Sequence, residues 1–263
     1  MYISIYINLC MLFRIDVPLQ PVEIEMPLPI DQRVKFFVFV IESPSAPDLY
    51  HRVSEGEVIK NALALNSIHC VVKTAISIEA FNACLKIGIA NEMELNPQHI
   101  PILHISAHGN AEGIQLSDGY MMSWAELKEH LRPLNAALNN FLIVCMSSCE
   151  GYAGVRMAMH NDQTDLSHFA LIGSAAKPTW GETAVGYATF YHQLSRGEYI
   201  HDAVEAMKIA SGNKTFFLEH AANTQKSFIE HIRLIDSKLA VSSLENNVAN
   251  ESVVEQNAMR KLL

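Results

Sequence analysis

The sequence predicts an α/β fold, with a mostly parallel β-sheet, helices on both of its faces and extra helices towards the C-terminal end. Apolar runs of strand length alternate along the chain with amphipathic stretches of helix length, the order that builds βαβ units. Several of these runs are apolar without interruption, as strands buried on both faces are. Hydrophobic residues make up 49% of the 263 residues and charged residues 18%, which is enough apolar material for a large core.

The first 33 residues are predicted to be a lead-in to this fold. Residues 1–13 are apolar, but they lack the basic start and the small-residue cleavage site of a signal peptide. They are also too short to cross a bilayer as a helix. We expect either an extra edge strand here or a translation start that has been assigned too early. Residues 14–32 contain four prolines, which is typical of an extended segment.

From residue 34 onwards, strands and helices alternate. Strands are predicted at 34–43, 69–76, 100–109, 141–149 and 168–176. Helices are predicted at 55–66, 78–95, from Gly151, at 181–196, at 201–213 and at 215–236. We therefore assign residues 34–213 to one α/β domain and residues 214–263 to a C-terminal helix followed by a polar tail.

A hairpin is predicted between the third and fourth strands. Residues 113–124 alternate around Asp118-Gly119, a strong signal for a tight turn. Ser123 is placed to cap a helix that begins at Trp124, with Glu126 at the position of a capping box.

Charge and cysteine content narrow the class of protein. The net charge is −9 and the pI about 5.7, with no cluster of basic residues, so neither nucleic acid nor a membrane surface is an expected partner. The five cysteines are scattered and form no CxxC pair, which argues against a disulfide framework or a zinc ribbon. This pattern suits the reducing cytoplasm, where a thiolate nucleophile survives.

Two reactive side chains are predicted at the same edge of the sheet. His108 closes the third strand and Cys149 closes the fourth, and parallel sheets collect their chemistry at the carboxyl ends of the strands. An imidazole beside a thiol produces a nucleophilic thiolate, and the start of the helix expected after Cys149 favours the same charge. The backbone amides of Gly109 and Cys149 are placed to form an oxyanion hole.

Other residues in these segments have plainer interpretations. Cys145 lies inside a strand and is expected to be a buried structural cysteine, and His104 is expected to belong to the core. His104 and His108 are four residues apart, but this segment is not helical and lacks the other ligands of a zinc site, so no metal is predicted. The sequence contains neither GK[ST] nor GxGxxG, and we expect no organic cofactor.

Three blocks of the sequence resemble the CHAT family of caspase-like cysteine proteases. They are ILHISAHGNAEGIQLSDGYMMSWAEL, FLIVCMSSCEGYAG, and LIGSAAKPTW with the following AVGYATFYHQLSRGEYIHDAVEAMKIA. The match covers 34–213 and implies a caspase-like α/β domain that hydrolyses peptide bonds with a dyad of His108 and Cys149, without a metal or cofactor. Of the caspase signature Q-A-C-[RQG]-G, the chain keeps only the cysteine and the glycine.

The resemblance also suggests where a substrate binds. Metacaspases carry an aspartate two residues before the cysteine, whereas this chain has Ser147 there, so a preference for basic substrates does not carry over. Ser147, Glu150 and Glu182 are the candidate substrate-binding residues.

The resemblance implies a protease that cleaves a specific protein, such as a companion in bacterial defence or cell death, after a partner protein activates it. Two other functions remain open at this point. A catalytically inactive caspase-like scaffold has the same fold without the reactivity. A flavodoxin-like or receiver-like binding domain has a similar sheet, a ligand at the point where the strand order reverses, and no reactive thiol.

Overall fold

The computed structural model describes residues 35–162 and 165–238 of the chain. The predictions for the N-terminal lead-in of residues 1–33 and for the tail beyond residue 238 lie outside the described residues.

The strands form one eight-stranded sheet that is parallel over most of its width. The order is β2-β1-β3-β6-β7-β8, in which β7 and β8 alone run antiparallel, and a hairpin of β4 and β5 extends from the end of β3. The strands are β1 (Phe36–Ser43), β2 (Cys70–Thr74), β3 (Ile100–Asn110), β4 (Gly113–Gln115), β5 (Met121–Ser123), β6 (Ile143–Ser147), β7 (Ala170–Ser174) and β8 (Phe216–His220).

Helices join these strands and cover both faces of the sheet, which confirms the predicted fold class. The α-helices are α1 (Ala46–His51), α2 (Glu55–Ala64), α3 (Ile78–Ala83), α4 (Ile89–Leu95), α5 (Trp124–Ala137), α6 (Trp180–Ser195), α7 (Ile200–Ser211) and α8 (221–238). A π-helical turn at Cys84–Gly88 joins α3 to α4, and a 3-10 helix at Gly151–Ala158 follows β6. Within the described ranges, none of these helices has both the length and the apolar character needed to cross a membrane.

Two apolar cores lie on opposite faces of the sheet because alternate residues of each strand point to opposite sides. On one face, Val38, Ile102 and Ile172 pack with side chains of α2, α6 and α7. On the other face, Phe39 and Leu103 pack with side chains of α3, α4 and α5. Burial on both sides explains why these strands are apolar without interruption in the sequence.

The neighbouring strands β3 and β6 carry polar residues at their carboxyl ends. They run parallel, with His104 opposite Cys145 and Ser106 opposite Ser147. Because these residues are two apart along each strand, all four share the face that is covered by α2 and α6. The alternation brings His108, two residues beyond Ser106, to that face as well.

Several local predictions differ from the structure. The helix predicted at 215–236 is wrong in its first part, because Phe216–His220 forms β8 and extends the sheet beyond residue 213. Pairing with the exposed edge of β7 outweighs the local preference for helix, since it satisfies backbone groups that the edge leaves open. The helix expected from Gly151 is a 3-10 helix, and α1 forms between the strand predicted at 34–43 and the helix predicted at 55–66, where no helix was predicted.

The hairpin and the helix after it form as predicted, with one difference at the cap. Gly119 has a φ of 89°, the left-handed conformation that the turn requires of a glycine. Ser123 caps α5 by accepting a hydrogen bond from the Glu126 amide. The carboxylate of Glu126 accepts a hydrogen bond from the Tyr120 hydroxyl, and no return bond to the Ser123 amide completes the capping box.

Candidate active site

His108 and Cys149 line one cavity at the carboxyl edge of the sheet, with a volume of about 280 Å³. Ser106 and Ser147 are paired in the parallel register of β3 and β6. His108 lies two residues further along β3, and Cys149 lies two residues beyond the end of β6, in a turn and not in the strand predicted to end there. Cys149 is partly exposed there, whereas Cys70, Cys84 and Cys145 are buried.

The start of α6 forms the opposite wall of this cavity. Pro178, Thr179, Trp180 and Thr183 line it together with Ala107 and Ser148. The Trp180 ring meets the His108 ring edge-on, with a centroid separation of 5.4 Å and an interplanar angle of 73°. Such an edge-to-face contact favours one orientation of the imidazole. Trp180 is in turn held by the helix start, where Thr179 and Glu182 form a capping box.

Asp48 of α1 holds the other side of the His108 ring. Its Oδ2 lies 2.9 Å from Nε2 of His108. The same oxygen accepts hydrogen bonds from the amide and the hydroxyl of Ser45, at 3.1 and 2.5 Å. Burial works to raise the pKa of Asp48, but the hydrogen bonds from Ser45 and His108 outweigh it and hold the pKa below its usual value. Asp48 is therefore ionised at neutral pH.

The ionised carboxylate fixes the tautomer of His108. A carboxylate only accepts hydrogen bonds, so Nε2 of His108 carries a hydrogen and donates it. In the neutral ring this leaves Nδ1 as the unprotonated nitrogen, which is the one able to take a proton. The ring nitrogen that a general base needs is thus available on the side away from Asp48.

The Cys149 thiol has a raised pKa and no hydrogen bond to His108 in this structure. Burial raises its pKa above the usual value, the positive charge of Lys177 works against that shift, and Glu150 adds to it. The hydrogen bond of His108 goes to Asp48, not to the thiol. The 3-10 helix after Cys149 has no side-chain cap and starts from Glu150 in a left-handed conformation.

The two predicted oxyanion donors lie at the same edge. Gly109 packs so closely against the hairpin that a Cβ there would lie 2.9 Å from the carbonyl oxygen of Gly113. The Cys149 amide has no hydrogen-bond acceptor among the described residues, whereas the next amide, that of Glu150, donates to the Ala176 carbonyl at 2.7 Å. The amide of Cys149 is thus a free donor at the mouth of the cavity.

The structure places the three predicted substrate-binding residues outside the lining of the cavity. Ser147 is fully buried and donates a hydrogen bond of 2.8 Å to Glu55, which covers it from α2. Glu150 lies beside Lys177, with 4.0 Å between the charged groups. Glu182 is occupied in capping α6, where it accepts hydrogen bonds from the backbone and hydroxyl of Thr179.

A buried polar network lies directly beneath the cavity. Glu55 accepts hydrogen bonds from the hydroxyls of Ser106 and Ser147, at 2.6 and 2.8 Å, and its Oε2 lies 3.7 Å from Nε2 of His104. Burial works to raise the pKa of Glu55, but His104, Ser106 and Thr183 outweigh it and hold the pKa below its usual value. The ionised carboxylate of Glu55 thus lies next to Thr183 of α6, a residue that lines the cavity.

The remaining members of this network are structural. His104 is fully buried, as expected, and its Nδ1 lies 2.8 Å from the Tyr191 hydroxyl. Burial raises the pKa of Cys145 to about 12, so this thiol stays protonated. His104 and His108 thus have separate partners at different depths. Within the described ranges, no group of three acidic, histidine or cysteine side chains is arranged to hold a metal ion.

Asp48 and Glu55 were missed by sequence reasoning, although each stands beside a recognisable signal. Ser45 and Asp48 are spaced as a capping box with a proline at the helix start, which marks α1. Ser54 caps α2 and places Glu55 in its first turn. Those patterns locate the two helices, but they do not reveal which acidic side chain turns inwards.

Comparison with known proteins adds little beyond the fold. No protein-family model matches the sequence, and no curated protein is similar enough to count as a relative. Among solved structures, the chain is similar to one described as the complex of the pro- and mature domains of RgpB from Porphyromonas gingivalis. The similarity has a TM-score of 0.43 at 12% identity and covers 72% of this chain but only 50% of the other. The chain thus spans half the length of that protein, and so distant a likeness says nothing about activity.

Proposed function

We propose that this chain is a cysteine endopeptidase of the caspase-like CHAT type that hydrolyses a peptide bond in a specific protein. One observation carries the proposal: His108, near the carboxyl end of β3, and Cys149, in the turn after the adjacent parallel strand β6, line the same cavity. A thiol and an imidazole that share a cleft at this edge are the parts of a nucleophilic hydrolase.

The reaction begins when Nδ1 of His108 takes the thiol proton. The thiolate of Cys149 attacks the scissile carbonyl, and the amides of Gly109 and Cys149 stabilise the oxygen that becomes negative. The tetrahedral intermediate then collapses, and the imidazolium of His108 protonates the leaving amine. A water molecule hydrolyses the remaining thioester, with His108 acting again as base.

Asp48 supports each proton transfer without touching the substrate. Its hydrogen bond to Nε2 keeps the proton-accepting nitrogen free, and its negative charge stabilises the imidazolium that forms after the thiol is deprotonated. Thr179, which is held in place by the capping box with Glu182, lines the cavity and supplies a contact for the substrate.

The raised pKa of Cys149 supports a resting state with little activity. We propose that the isolated enzyme has a low activity that depends on His108, and that a partner protein in the same cytoplasm raises this activity by bringing the thiol and Nδ1 closer together. The substrate is then a companion protein in a bacterial defence or cell-death response, as in the family that the sequence resembles.

The raised pKa of Cys149 also favours a second function, that of an inactive caspase-like scaffold. A thiol that stays protonated and lacks a hydrogen bond to His108 is what such a scaffold would contain. The two functions differ in one property, the reactivity of Cys149 towards an acylating or alkylating peptide.

A labelling experiment tests the proposal. The protein is incubated with a library of peptide acyloxymethyl ketones, and every modified cysteine is mapped by mass spectrometry. We expect selective modification of Cys149 by a subset of peptides, lost in His108→Ala and unchanged in Cys84→Ala, the control for a buried cysteine. Modification that is slow and indifferent to both the peptide and His108 supports the scaffold instead.

A further inference from the structure

Ser148 carries a buried hydroxyl without a hydrogen bond. The residue is 3% exposed, and its Oγ has no hydrogen-bond partner in the described ranges. The hydroxyls of its neighbours in sequence and space, Ser147 and Ser106, are both bonded to Glu55. Since nearly all buried polar groups in proteins are hydrogen-bonded, an exception calls for a functional explanation.

The unpaired hydroxyl lies between two glycines beside the reactive thiol. A Cβ at Gly109 would lie 3.2 Å from Oγ of Ser148, and a Cβ at Gly151 would lie 2.8 Å from it. The missing side chains of both glycines leave the space that the hydroxyl fills. Ser148 also lines the cavity that holds His108 and Cys149.

We propose that the Ser148 hydroxyl is a third hydrogen-bond donor of the oxyanion hole. This inference rests on the proposed function and adds a catalytic residue to it. In the resting structure the Ser148 hydroxyl lies between Gly109 and Gly151. Rotation about the Cα–Cβ bond to another staggered rotamer brings Oγ of Ser148 to the cavity. This rotation breaks no hydrogen bond, because Oγ has none in the resting structure.

The Ser148 hydroxyl donates to the oxyanion of the tetrahedral intermediate. When Sγ of Cys149 bonds to the carbonyl carbon, the π electron pair moves to the oxygen, which then accepts hydrogen bonds from the amides of Gly109 and Cys149 and from the Ser148 hydroxyl. When the C–N bond breaks, the pair returns to the carbonyl and the amine takes its proton from His108. Ser148 keeps its own proton throughout.

A spacer role is the alternative, in which Ser148 is present because only a small side chain fits between the glycines. The two roles separate on substitution. Ser148→Ala removes the hydroxyl and keeps most of the volume, whereas Ser148→Gly removes both. A spacer tolerates alanine better than glycine, but an oxyanion donor loses its function equally in both variants.

The experiment compares two reactions of the same thiol in the full-length protein. Acylation of Cys149 by p-nitrophenyl acetate passes through an oxyanion, whereas alkylation by iodoacetamide displaces iodide at an sp³ carbon and forms none. For Ser148→Ala we expect acylation to slow by about 10- to 100-fold, less than or similar to the loss of a main oxyanion donor. The iodoacetamide rate should stay within about twofold of wild type, which shows that the thiol itself is intact.

Each outcome bears on a different claim. Equal acylation of wild type and Ser148→Ala overturns the role of the hydroxyl and leaves the protease proposal standing. Loss of acylation in Ser148→Gly alone identifies a spacer. Wild-type protein acylated at Cys149 no faster than its His108→Ala variant overturns the proposed function, and the inference with it. Unchanged thermal unfolding temperatures of the variants confirm that they are folded.

Discussion

Nε2 of His108 and Oδ2 of Asp48 lie 2.9 Å apart, although the two residues are separated by 60 positions in the chain. The aspartate belongs to α1, a six-residue helix that follows β1. The histidine lies near the carboxyl end of β3, which pairs with β1 in the sheet. No acidic partner of His108 was predicted from the sequence, and this contact supplies one.

Replacement of Asp48 by asparagine should show whether Asp48 acts through its charge, which stabilises the imidazolium of His108, or only through packing against the ring. The amide keeps the shape, but it removes the charge and allows the other tautomer of His108. We expect kcat to fall by about tenfold or more, with KM nearly unchanged, since loss of the acidic member of a triad acts on the transition state. The measurement is steady-state hydrolysis of the best peptide found by labelling.

Ser45→Ala is the matched control for that variant. It removes one hydrogen bond from Asp48 and the cap of α1, but leaves the charge beside His108. A smaller decrease in kcat than in Asp48→Asn is expected. Equal effects of the two variants would mean that α1 merely has to be folded, and that the charge of Asp48 contributes nothing.

The pH dependence of Cys149 alkylation should report the raised pKa of its thiol. For the isolated chain we expect the iodoacetamide rate to rise with pH towards an apparent pKa above the ordinary value of about 8.5. Burial disfavours the thiolate, so the reactive form accumulates only at high pH. Cys70 is an internal reference, because burial raises its pKa to about 12 and it should react far more slowly.

The same experiment on His108→Ala tells whether the dyad is coupled before activation. The structure has no hydrogen bond between the two side chains, so the thiolate fraction that iodoacetamide alkylation reports should change little in the variant. Acylation by an ester should still slow, because there His108 takes the thiol proton during the attack. An apparent pKa below the ordinary value in wild type, lost in the variant, would show instead that His108 already holds the thiolate.

The parts of this site that the sequence predicts are those that depend on a single strand. Runs of buried residues identify β3 and β6, and the rule that chemistry lies at carboxyl ends identifies His108 and Cys149. Asp48 depends on where α1 packs, and a capping box looks the same whether or not its acid contacts a histidine. The raised pKa of Cys149 depends on burial that no sequence pattern reports.

The C-terminal strand β8 shows that the fold, too, contains a part that local sequence patterns do not predict. Phe216–His220 is short, and its local sequence is compatible with a helix that continues into 221–238. It becomes a strand because the edge of β7 offers unpaired backbone groups along Ala170–Ser174. Edge pairing is a property of the assembled sheet, so local reasoning correctly found the helix and misplaced its start.

Replacement of Glu55 by glutamine should destabilise the protein in a pH-dependent way. The carboxylate accepts hydrogen bonds from Ser106 and Ser147, and its pKa is lower in the folded than in the unfolded state. A lowered pKa contributes stability above the unfolded value and loses it as the pH falls through the folded value. We expect a loss of about 1–3 kcal/mol at neutral pH, measured by urea unfolding.

Glu57→Gln is the control for that prediction, because Glu57 lies on the same helix turn but is exposed, with Lys60 as its partner. Its effect should stay within about 0.5 kcal/mol. The difference between wild type and Glu55→Gln should also shrink below pH 4.5, the ordinary pKa of glutamate. A difference that stays constant down to acidic pH would contradict the ionised state of Glu55.

A pair of glycine substitutions tests how tightly the turn carrying Cys149 is packed. A Cβ at Gly173 of β7 would lie 2.7 Å from the amide nitrogen of Tyr152 and 2.8 Å from the carbonyl carbon of Gly151. Backbone atoms cannot move aside as the end of a side chain can. Gly173→Ala should therefore lower the free energy of unfolding by about 1–3 kcal/mol and shift the segment after Cys149. A Cβ at Gly181, near the start of α6, meets only the Thr179 hydroxyl at 3.9 Å.

Gly181→Ala is therefore expected to be neutral or to stabilise the protein by up to about 1 kcal/mol, because alanine favours the helix. Thermal unfolding and the rate of Cys149 acylation are measured for both variants. Gly173→Ala should lower both, and Gly181→Ala should lower neither. A Gly173→Ala variant with wild-type stability and acylation would mean that the backbone of Gly151 and Tyr152 is free to move, and that the position of Cys149 does not depend on β7.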